Sequence, residues 1–366
     1  MSTALVDLNA LTANLEAVRA QLRPGTKVMP AIKADAYGHG AVRVARTLEK
    51  AGVTRFAVAT PSELLELREA GVTSDLMLLT PALDMINELA DAGTIFTVSD
   101  SSALARLMRA RVPKGTRVHL KVDTGLNRIG VAPEEAVQLA RRITDSQLLE
   151  LEGVFTHFVA AEDDPVMTTR QIERFEWTLS GLARDGITPP LRHTCNSAGI
   201  FNHPEAHYDM VRPGIVMYGY APLPGMEVQE RLSPVLSLIA PVISCKRVSA
   251  GTGVSYNHLW HATSDTNILT IRCGYADGYR RLLSNRSWAS LHGHRIQVRG
   301  RIAMDQMMLD SGDLAAEPGE LITLIGAPGP GADELGTLAE SNAYDILSSL
   351  TRRVNRQYVR GNTAHG

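Results

Sequence analysis

The chain has 366 residues, of which 44% are hydrophobic and 21% charged, and its formal net charge is −2. That is more chain than one core usually holds and an ordinary globular balance, so two domains are expected and disorder is not. The near-neutral charge lacks the basic surface that a nucleic-acid backbone demands, and the longest apolar stretch, 235–243 with Pro241 inside it, is too short to span a bilayer, so neither nucleic acid nor membrane is expected as a partner.

Cys195, Cys245 and Cys273 are far apart and odd in number, which gives neither a disulfide framework nor zinc spacing and fits a reducing compartment. The opening Met-Ser-Thr-Ala-Leu-Val-Asp has no basic region followed by an apolar segment. No secretory signal is expected, and the reading is a cytoplasmic protein.

In chain order, the run Ala4–Leu8 reads as a strand. From residue 27 to about 217, short apolar runs alternate with helical patterns: Lys27–Ala34, Arg55–Ala59, Asp75–Leu79, Thr94–Val98, Arg117–Val122, Leu149–Thr156, Leu191–Cys195 and Met210 with its neighbours. Between them lie segments such as Pro61–Ala70, with a proline start, an early acid and Gly71 as a stop. Such alternation predicts parallel strands with right-handed crossovers, and eight units fit an α/β fold of the (β/α)8 TIM-like barrel type. A doubly wound open sheet is the alternative, but no Gly-x-Gly-x-x-Gly turn follows an early strand. Past Pro222 the texture changes to β-branched runs, Val235–Val248, Asn267–Ile271, Arg295–Val298 and Glu320–Ile325, with a helical pattern at Ala343–Leu350 and a loop at Ala327–Ala332. The expected division is a barrel over 1–222 and a mainly β C-terminal domain over 223–366.

A barrel places catalytic side chains after the carboxyl ends of its strands. Lys33, His157, Asn196, Ser197 and Arg212 all follow expected strands. Lys33 ends an apolar run and precedes Tyr37, Gly38 and Gly40, whose glycines would let donors approach a phosphate. A lysine amine is nucleophilic only when neutral, so a lysine that must attack a carbonyl needs partial burial to lower its ordinary pKa of ~10.4; Ile32 and Ala34 supply an apolar flank.

The segment Ala31–Gly40 resembles the cofactor-lysine segment of the alanine racemase family. Five further segments carry the same resemblance: Lys121–Gly130, Phe155–Phe158, the pair Cys195–Gly199 and Val211–Ile215, Gly253–Asn257, and Gly274–Tyr279 with Gly300–Gln306. The resemblance implies a pyridoxal 5'-phosphate enzyme that interconverts L- and D-alanine. Lys33 would carry the cofactor, Tyr37, Ser197, Gly214 and Ile215 would hold its phosphate, His157 would stack on its ring, and Arg212 would face the ring nitrogen. A guanidinium does not readily give up a proton, so the ring would be a weaker electron sink and side reactions would be suppressed.

By the same resemblance Arg128 would reach the substrate carboxylate through its paired donors, and Lys121 would carry a carbamate that positions it. Tyr275 would line the substrate entrance and the Met304 backbone N–H would bind the carboxylate. Inversion of a stereocentre needs one base on each face; these would be Lys33 and Tyr256. Bringing a phenol from ~10 to near neutrality takes roughly 4 kcal/mol, which a cationic neighbourhood of His157 and Arg212 would provide. Tyr256, Tyr275 and Met304 would act on the lysine of the opposite subunit, so a homodimer with shared active sites is implied.

The chain departs from the family pattern at Asn257, where relatives have glycine, at Arg352, where many have a tyrosine that touches phosphate, and at Ala303, often cysteine. These leave open a racemase of serine or of broader specificity. A barrel-type amino-acid decarboxylase is disfavoured because it would use a C-terminal cysteine, and a non-catalytic pyridoxal-binding barrel would lack the second domain.

Overall fold

The computed structural model describes residues 1–361, so the last five positions of the expected second domain lie outside the described residues. The chain forms two compact units, one of Thr12–Ala36 and Ala41–Leu232, the other of Met1–Leu11, Tyr37–Gly40 and the chain from Ser233 onward. No helix among the described residues is long and apolar enough to cross a membrane.

The first unit is built on parallel strands. These are β2 (Lys27–Val28), β3 (Arg55–Val58), β4 (Asp75–Leu78), β5 (Thr94–Val98), β6 (Thr116–Lys121), β7 (Leu149–Phe155), β8 (Leu191–His193) and β9 (Met210–Val211), which follow the opening strand β1 (Thr3–Asp7). Strands β3 to β8 pair in sequence order, and β2 pairs with β9. Backbone bonds also run from Ile32 N–H to the Ala57 carbonyl (2.9 Å) and from Asp209 N–H to the Arg192 carbonyl (3.1 Å). Met29, Ala57, Met77, Ile95, Phe155, Leu191 and Met210 make one buried cluster; every strand or strand flank of the eight except β6 contributes one apolar side chain to it.

Most strand ends fall within a residue of expectation, but Lys27–Ala34 does not. Pro30 has no N–H to continue a ladder, and the strand stops at Val28, leaving only a bridge from Ala31 to Ala57. The chain then enters a single helical turn, Lys33–Gly38, of left-handed sense, with φ of 53°, 53°, 52° and 53° at Ala34, Asp35, Ala36 and Tyr37. Pro61–Glu69 is the expected helix, closed by a capping box between Thr60 and Glu63, with Gly71 at φ 78° after its end.

The second unit is a mainly antiparallel sheet. Strand β10 (Leu236–Val248) pairs along its length with β1, with β17 (Leu321–Ile325) and with β13 (Thr266–Ile271). Through β14 (Trp288–Leu291), β15 (His294–Arg299) and β16 (Met307–Asp310) the order returns from β17 to β13, so six strands form a ring. The Ala4–Leu8 run is thus part of β1, whose other neighbour is β18 (Asn355–Val359). Helix Ala343–Ser348 matches its pattern, whereas helix Ala332–Leu338 begins where a loop was expected to end.

The glycines after Tyr37 also answer to close packing. A Cβ on Gly38 would run into the Leu347 carbonyl, and one on Gly40 into the Tyr358 hydroxyl. Close packing, with φ of 82° and 92°, sets these positions. Gly38→Ala should therefore destabilise the protein by about 2–4 kcal/mol, read as a lower urea midpoint at unchanged slope; a midpoint equal to the parent's would refute the packing account.

Candidate active site

Lys33 stands at the start of the left-handed turn, half-buried. Its position is fixed from several sides: Ala31 N–H donates to the Pro213 carbonyl (2.8 Å), the Tyr218 hydroxyl donates to the Ala31 carbonyl (3.0 Å), and Ala36 N–H donates to the Ile32 carbonyl (2.9 Å). Glu63 does double duty. One carboxylate oxygen accepts from Ala59 and Thr60 N–H, closing the helix cap, and the other accepts Ala34 N–H at 2.6 Å. Burial and the charge of Arg128 lower the Lys33 pKa, with Glu63 opposing, which is the condition for a nucleophilic amine.

Arg212, one residue past β9, is buried, and its guanidinium donates to the Thr156 carbonyl (2.7 Å), the Thr194 carbonyl (2.9 Å) and His193 Nδ1 (2.6 Å), with His157 Nδ1 at 3.4 Å. Burial lowers its pKa only to about 10, so it stays charged at neutral pH. Lys121, at the end of β6, is pushed down to about 8 by burial and by the charges of Arg128, Arg212 and Lys33, with Asp123 opposing. Arg128 is exposed on a loop that the Asp123 carboxylate organises by accepting from the backbone N–H groups of Gly125 (2.9 Å), Asn127 (3.0 Å) and Arg128 (3.2 Å). Gly130, at φ 142°, presses so closely on the Asp123 backbone that a Cβ there would meet it at 2.7 Å.

His157 follows β7 as expected. Burial and the charges of Arg212, Arg128, Lys121 and Lys33 hold its pKa well below the ordinary imidazole value. It is therefore neutral at pH 7, which corrects the expectation that it adds positive charge for a phenolate. Ser197 and Gly214 are brought together, but Gly214 N–H donates to Ser197 Oγ at 2.8 Å; the hydroxyl proton, rather than that N–H, is left for an outside acceptor. Ile215 opens the turn Ile215–Tyr218 beside them.

Besides burial, the charge of Arg128 thus lowers the pKa of Lys33, and the charges of Arg128, Arg212 and Lys33 lower that of Lys121, with Glu63 opposing at Lys33 and Asp123 at Lys121. Such a cluster calls for anions. A phosphate and a carboxylate, together with an aldehyde for Lys33, fit it, so the residues present suit pyridoxal phosphate.

The other expected residues lie in the second unit. Tyr37 is buried, its ring 6.2 Å from that of Tyr344, and burial raises its pKa to about 12, keeping it a phenol donor. Tyr256 is 66% exposed, Met304 56% and Tyr275 43%. Ser255 Oγ donates to the Arg301 carbonyl (2.6 Å), Tyr275 N–H to the Ala303 carbonyl (3.0 Å) and Ala276 N–H to the Met304 carbonyl (2.8 Å), so the three segments share one edge of this unit. Gly274 is required there, because a Cβ would strike the Ala303 and Met304 carbonyls. Asn257 adopts φ 59°, a left-handed conformation that asparagine tolerates best after glycine, so the departure there keeps the backbone. Arg352 is exposed ahead of β18, while its neighbour Arg353 pairs with Asp277 at 3.0 Å.

Sequence reasoning missed Glu63, although its Thr-x-x-Glu capping spacing was readable, and missed His193, Thr156 and Thr194, whose bonds to Arg212 depend on strand neighbours far apart in sequence.

Known proteins resemble this chain along its whole length. The model of the alanine racemase N-terminal domain matches residues 6–222 and that of the alanine racemase C-terminal domain matches 235–358. The alanine racemase of Chlorobaculum tepidum is 39% identical over 366 residues, covering 98% of this chain and 96% of its own, and that of Halothermothrix orenii is 37% identical over 361 residues, covering 96% and 95%. Among solved structures, alanine racemase from D-cycloserine-producing Streptomyces lavendulae superposes with a TM-score of 0.93 at 35% identity, covering 100% of this chain and 98% of that one. The Bacillus anthracis alanine racemase with bound L-Ala-P gives 0.91 at 31%, covering 98% and 95%. With both domain models matched in order and relatives aligned from end to end, the chain belongs to the alanine racemase family.

Proposed function

We propose that this protein interconverts L-alanine and D-alanine with bound pyridoxal 5'-phosphate. The observation that carries the reading is a lysine of lowered pKa, Lys33, in one cationic cluster with Lys121, Arg128 and Arg212. Lys33 would hold the cofactor covalently, with Tyr37, Ser197, Gly214 and Ile215 around its phosphate, His157 against its ring and Arg212 at its ring nitrogen. When bound, the cofactor supplies the conjugated electron sink that makes the hydrogen on the substrate's α-carbon removable as a proton.

The chain's own residues do the rest. Arg128 and the Met304 N–H orient the substrate carboxylate, and Tyr275 narrows the approach. The Tyr256 hydroxylate takes the proton from one face of the α-carbon, and the Lys33 ammonium returns one to the opposite face; the reverse reaction exchanges the roles. Lys121 would carry a carbamate, since an amine with a pKa of about 8 offers carbon dioxide a neutral nucleophile and the product anion would face the three remaining cations, Arg128, Arg212 and Lys33.

The eight parallel strands are read as a closed (β/α)8 barrel, supported by the pairing of β2 with β9 and by backbone bonds from Ile32, past the end of β2, to β3 and from Asp209, just before β9, to β8. The working division is a cofactor domain over 1–222 and a mainly β domain over 223–366. Exposed Tyr256, Tyr275 and Met304 support a homodimer in which they complete the partner's site. A cytoplasmic location suits a small amino-acid substrate and reduced cysteines.

Incubation with L- and D-amino acids followed by chiral chromatography should show alanine racemised fastest; preference for serine would move the assignment to the other specificity, and carbon dioxide release would move it to a decarboxylase. The purified protein should be yellow and Lys33→Ala colourless, an equally yellow variant rejecting the lysine assignment. Tyr256→Phe should slow solvent-deuterium uptake from L-alanine more than from D-alanine, and equal slowing would refute the two-base assignment. In protein stripped of carbon dioxide, Lys121→Met should melt higher than the parent below pH 8. Because the folded pKa lies below the unfolded ~10.4, the charged form is penalised at low pH and the gap should close as pH rises between these values; a gap independent of pH would refute the burial account.

A further inference from the structure

Behind Arg212 a hydrogen-bonded chain runs through the interior of the first unit. His193 Nδ1 lies 2.6 Å from Arg212 Nη1, His193 Nε2 lies 2.7 Å from His119 Nδ1, and His119 Nε2 lies 3.0 Å from Glu152 Oε2. Both histidines are fully buried. A guanidinium can only donate, so His193 Nδ1 must accept. Its proton is then on Nε2, His119 Nδ1 must accept that, and the remaining His119 Nε2–H points to the carboxylate. Only one arrangement of protons satisfies every bond.

The far end is anchored. Arg55 donates to both Glu152 oxygens (2.9 and 2.6 Å), Arg117 lies 3.4 Å from one of them, and Arg117 pairs bidentately with Asp75 (2.9 and 2.7 Å). Two departures from regular structure make room for the chain. The β6–β7 pairing slips between Val118 opposite Leu151 and His119 opposite Gly153, so Glu152 is the extra residue of a bulge, a device that re-aims a side chain. Gly153 leaves space for the imidazole, since a Cβ there would meet the His119 ring at 2.7 Å. The Phe155 ring stacks on His193 (centroids 4.8 Å apart, planes 4° apart) and lies 5.3 Å from the Arg212 guanidinium, holding both in register.

We propose that His193, His119 and Glu152 are positioning residues for the racemase reaction, a one-way relay that holds Arg212 charged and aimed into the site by keeping His193 Nδ1 an acceptor. The inference rests on the proposed function for the word racemase, but the relay itself stands on geometry. With the opposite His193 tautomer, two donors would face each other across 2.6 Å and the guanidinium would have to turn away. Burial lowers the pKa of both histidines. For Glu152 burial opposes ionisation, yet the bonds from His119 and Arg55 hold its carboxyl well below the usual range. Arg55, Arg117, Asp75 and Lys121 are the charged groups that face this chain from β3, β6 and β4.

The test uses holoenzyme carrying nitrogen-15 histidine. His119 and His193 should both appear as the neutral Nε2–H form from pH 6 to pH 9. His119→Phe removes the acceptor for His193 and should lower kcat for alanine roughly ten- to hundredfold at nearly constant KM. His119→Gln, whose amide oxygen can accept from His193 while its NH2 group donates to Glu152, should recover most of kcat. A proton on His193 Nδ1 in the parent, a folded His119→Phe with parental kcat, or a glutamine variant as impaired as the phenylalanine one would each overturn the relay. The tautomer measurement needs no variant, so the relay stays falsifiable even if His119→Phe does not fold. A parent protein that racemises no amino acid ends the proposed function and leaves the tautomer result to stand by itself.

Discussion

The candidate site in the first unit is arranged around positive charge with little negative charge set against it. Lys33 feels the charge of Arg128, and Lys121 those of Arg128, Arg212 and Lys33, while Glu63 relieves the first and Asp123 the second. A fold keeps such repulsion only when the surrounding structure over-determines it, because each charge is free to turn to water if its tether is loose. Arg212 is the fixed point. Two backbone carbonyls and a neutral imidazole take its donors, so it is held without being neutralised. A carboxylate partner would hold it as firmly and cancel the charge that an anionic, electron-accepting group is meant to meet.

The same trade between placement and cost is visible in the backbone. Four consecutive non-glycine residues, Ala34 to Tyr37, sit at φ near +53°, and a left-handed turn costs roughly 1–2 kcal/mol per residue. The turn is tied at both ends: Glu63 takes Ala34 N–H, and Asp35 accepts Ala41 N–H at 2.8 Å. Strain of that size at the position immediately after the expected reactive lysine is characteristic of a functional segment. It turns the chain sharply after Lys33, so Lys33 stays with the first unit while Tyr37 to Gly40 belong to the second.

The alternation of strands and helices over the first unit was legible, because buried parallel strands read as short apolar runs between helices that carry their own caps; Thr60 with Glu63 is such a cap. The family segments were legible as well, since they are contiguous. What stayed hidden needed three dimensions. Lys27–Ala34 has strand composition throughout, and nothing local says that a left-handed turn replaces its last residues. Gly38 and Gly40 announced a turn but not that Leu347 and Tyr358 crowd them. His157 was expected to be cationic, and only its burial together with its cationic neighbours shows that it is neutral. His119 and Glu152 had no local pattern at all, because a one-residue slip in a strand pairing decides where Glu152 points.

That slip also bears on how a buried polar chain earns its place in an otherwise apolar interior. Burying two imidazoles and a carboxylate is unfavourable unless every donor and acceptor is matched, and an all-apolar layer like that of Met29, Met77 and Ile95 would fill the same space without the demand. Here the match is complete and points one way, from a guanidinium that can only donate to a carboxylate that can only accept. Reversing any one link would strand two protons against each other and two lone pairs against each other. The chain is thus intolerant of a single misplaced proton, and that intolerance fixes the orientation of Arg212 more sharply than the backbone carbonyls alone, which accept a guanidinium over a broad range of angles.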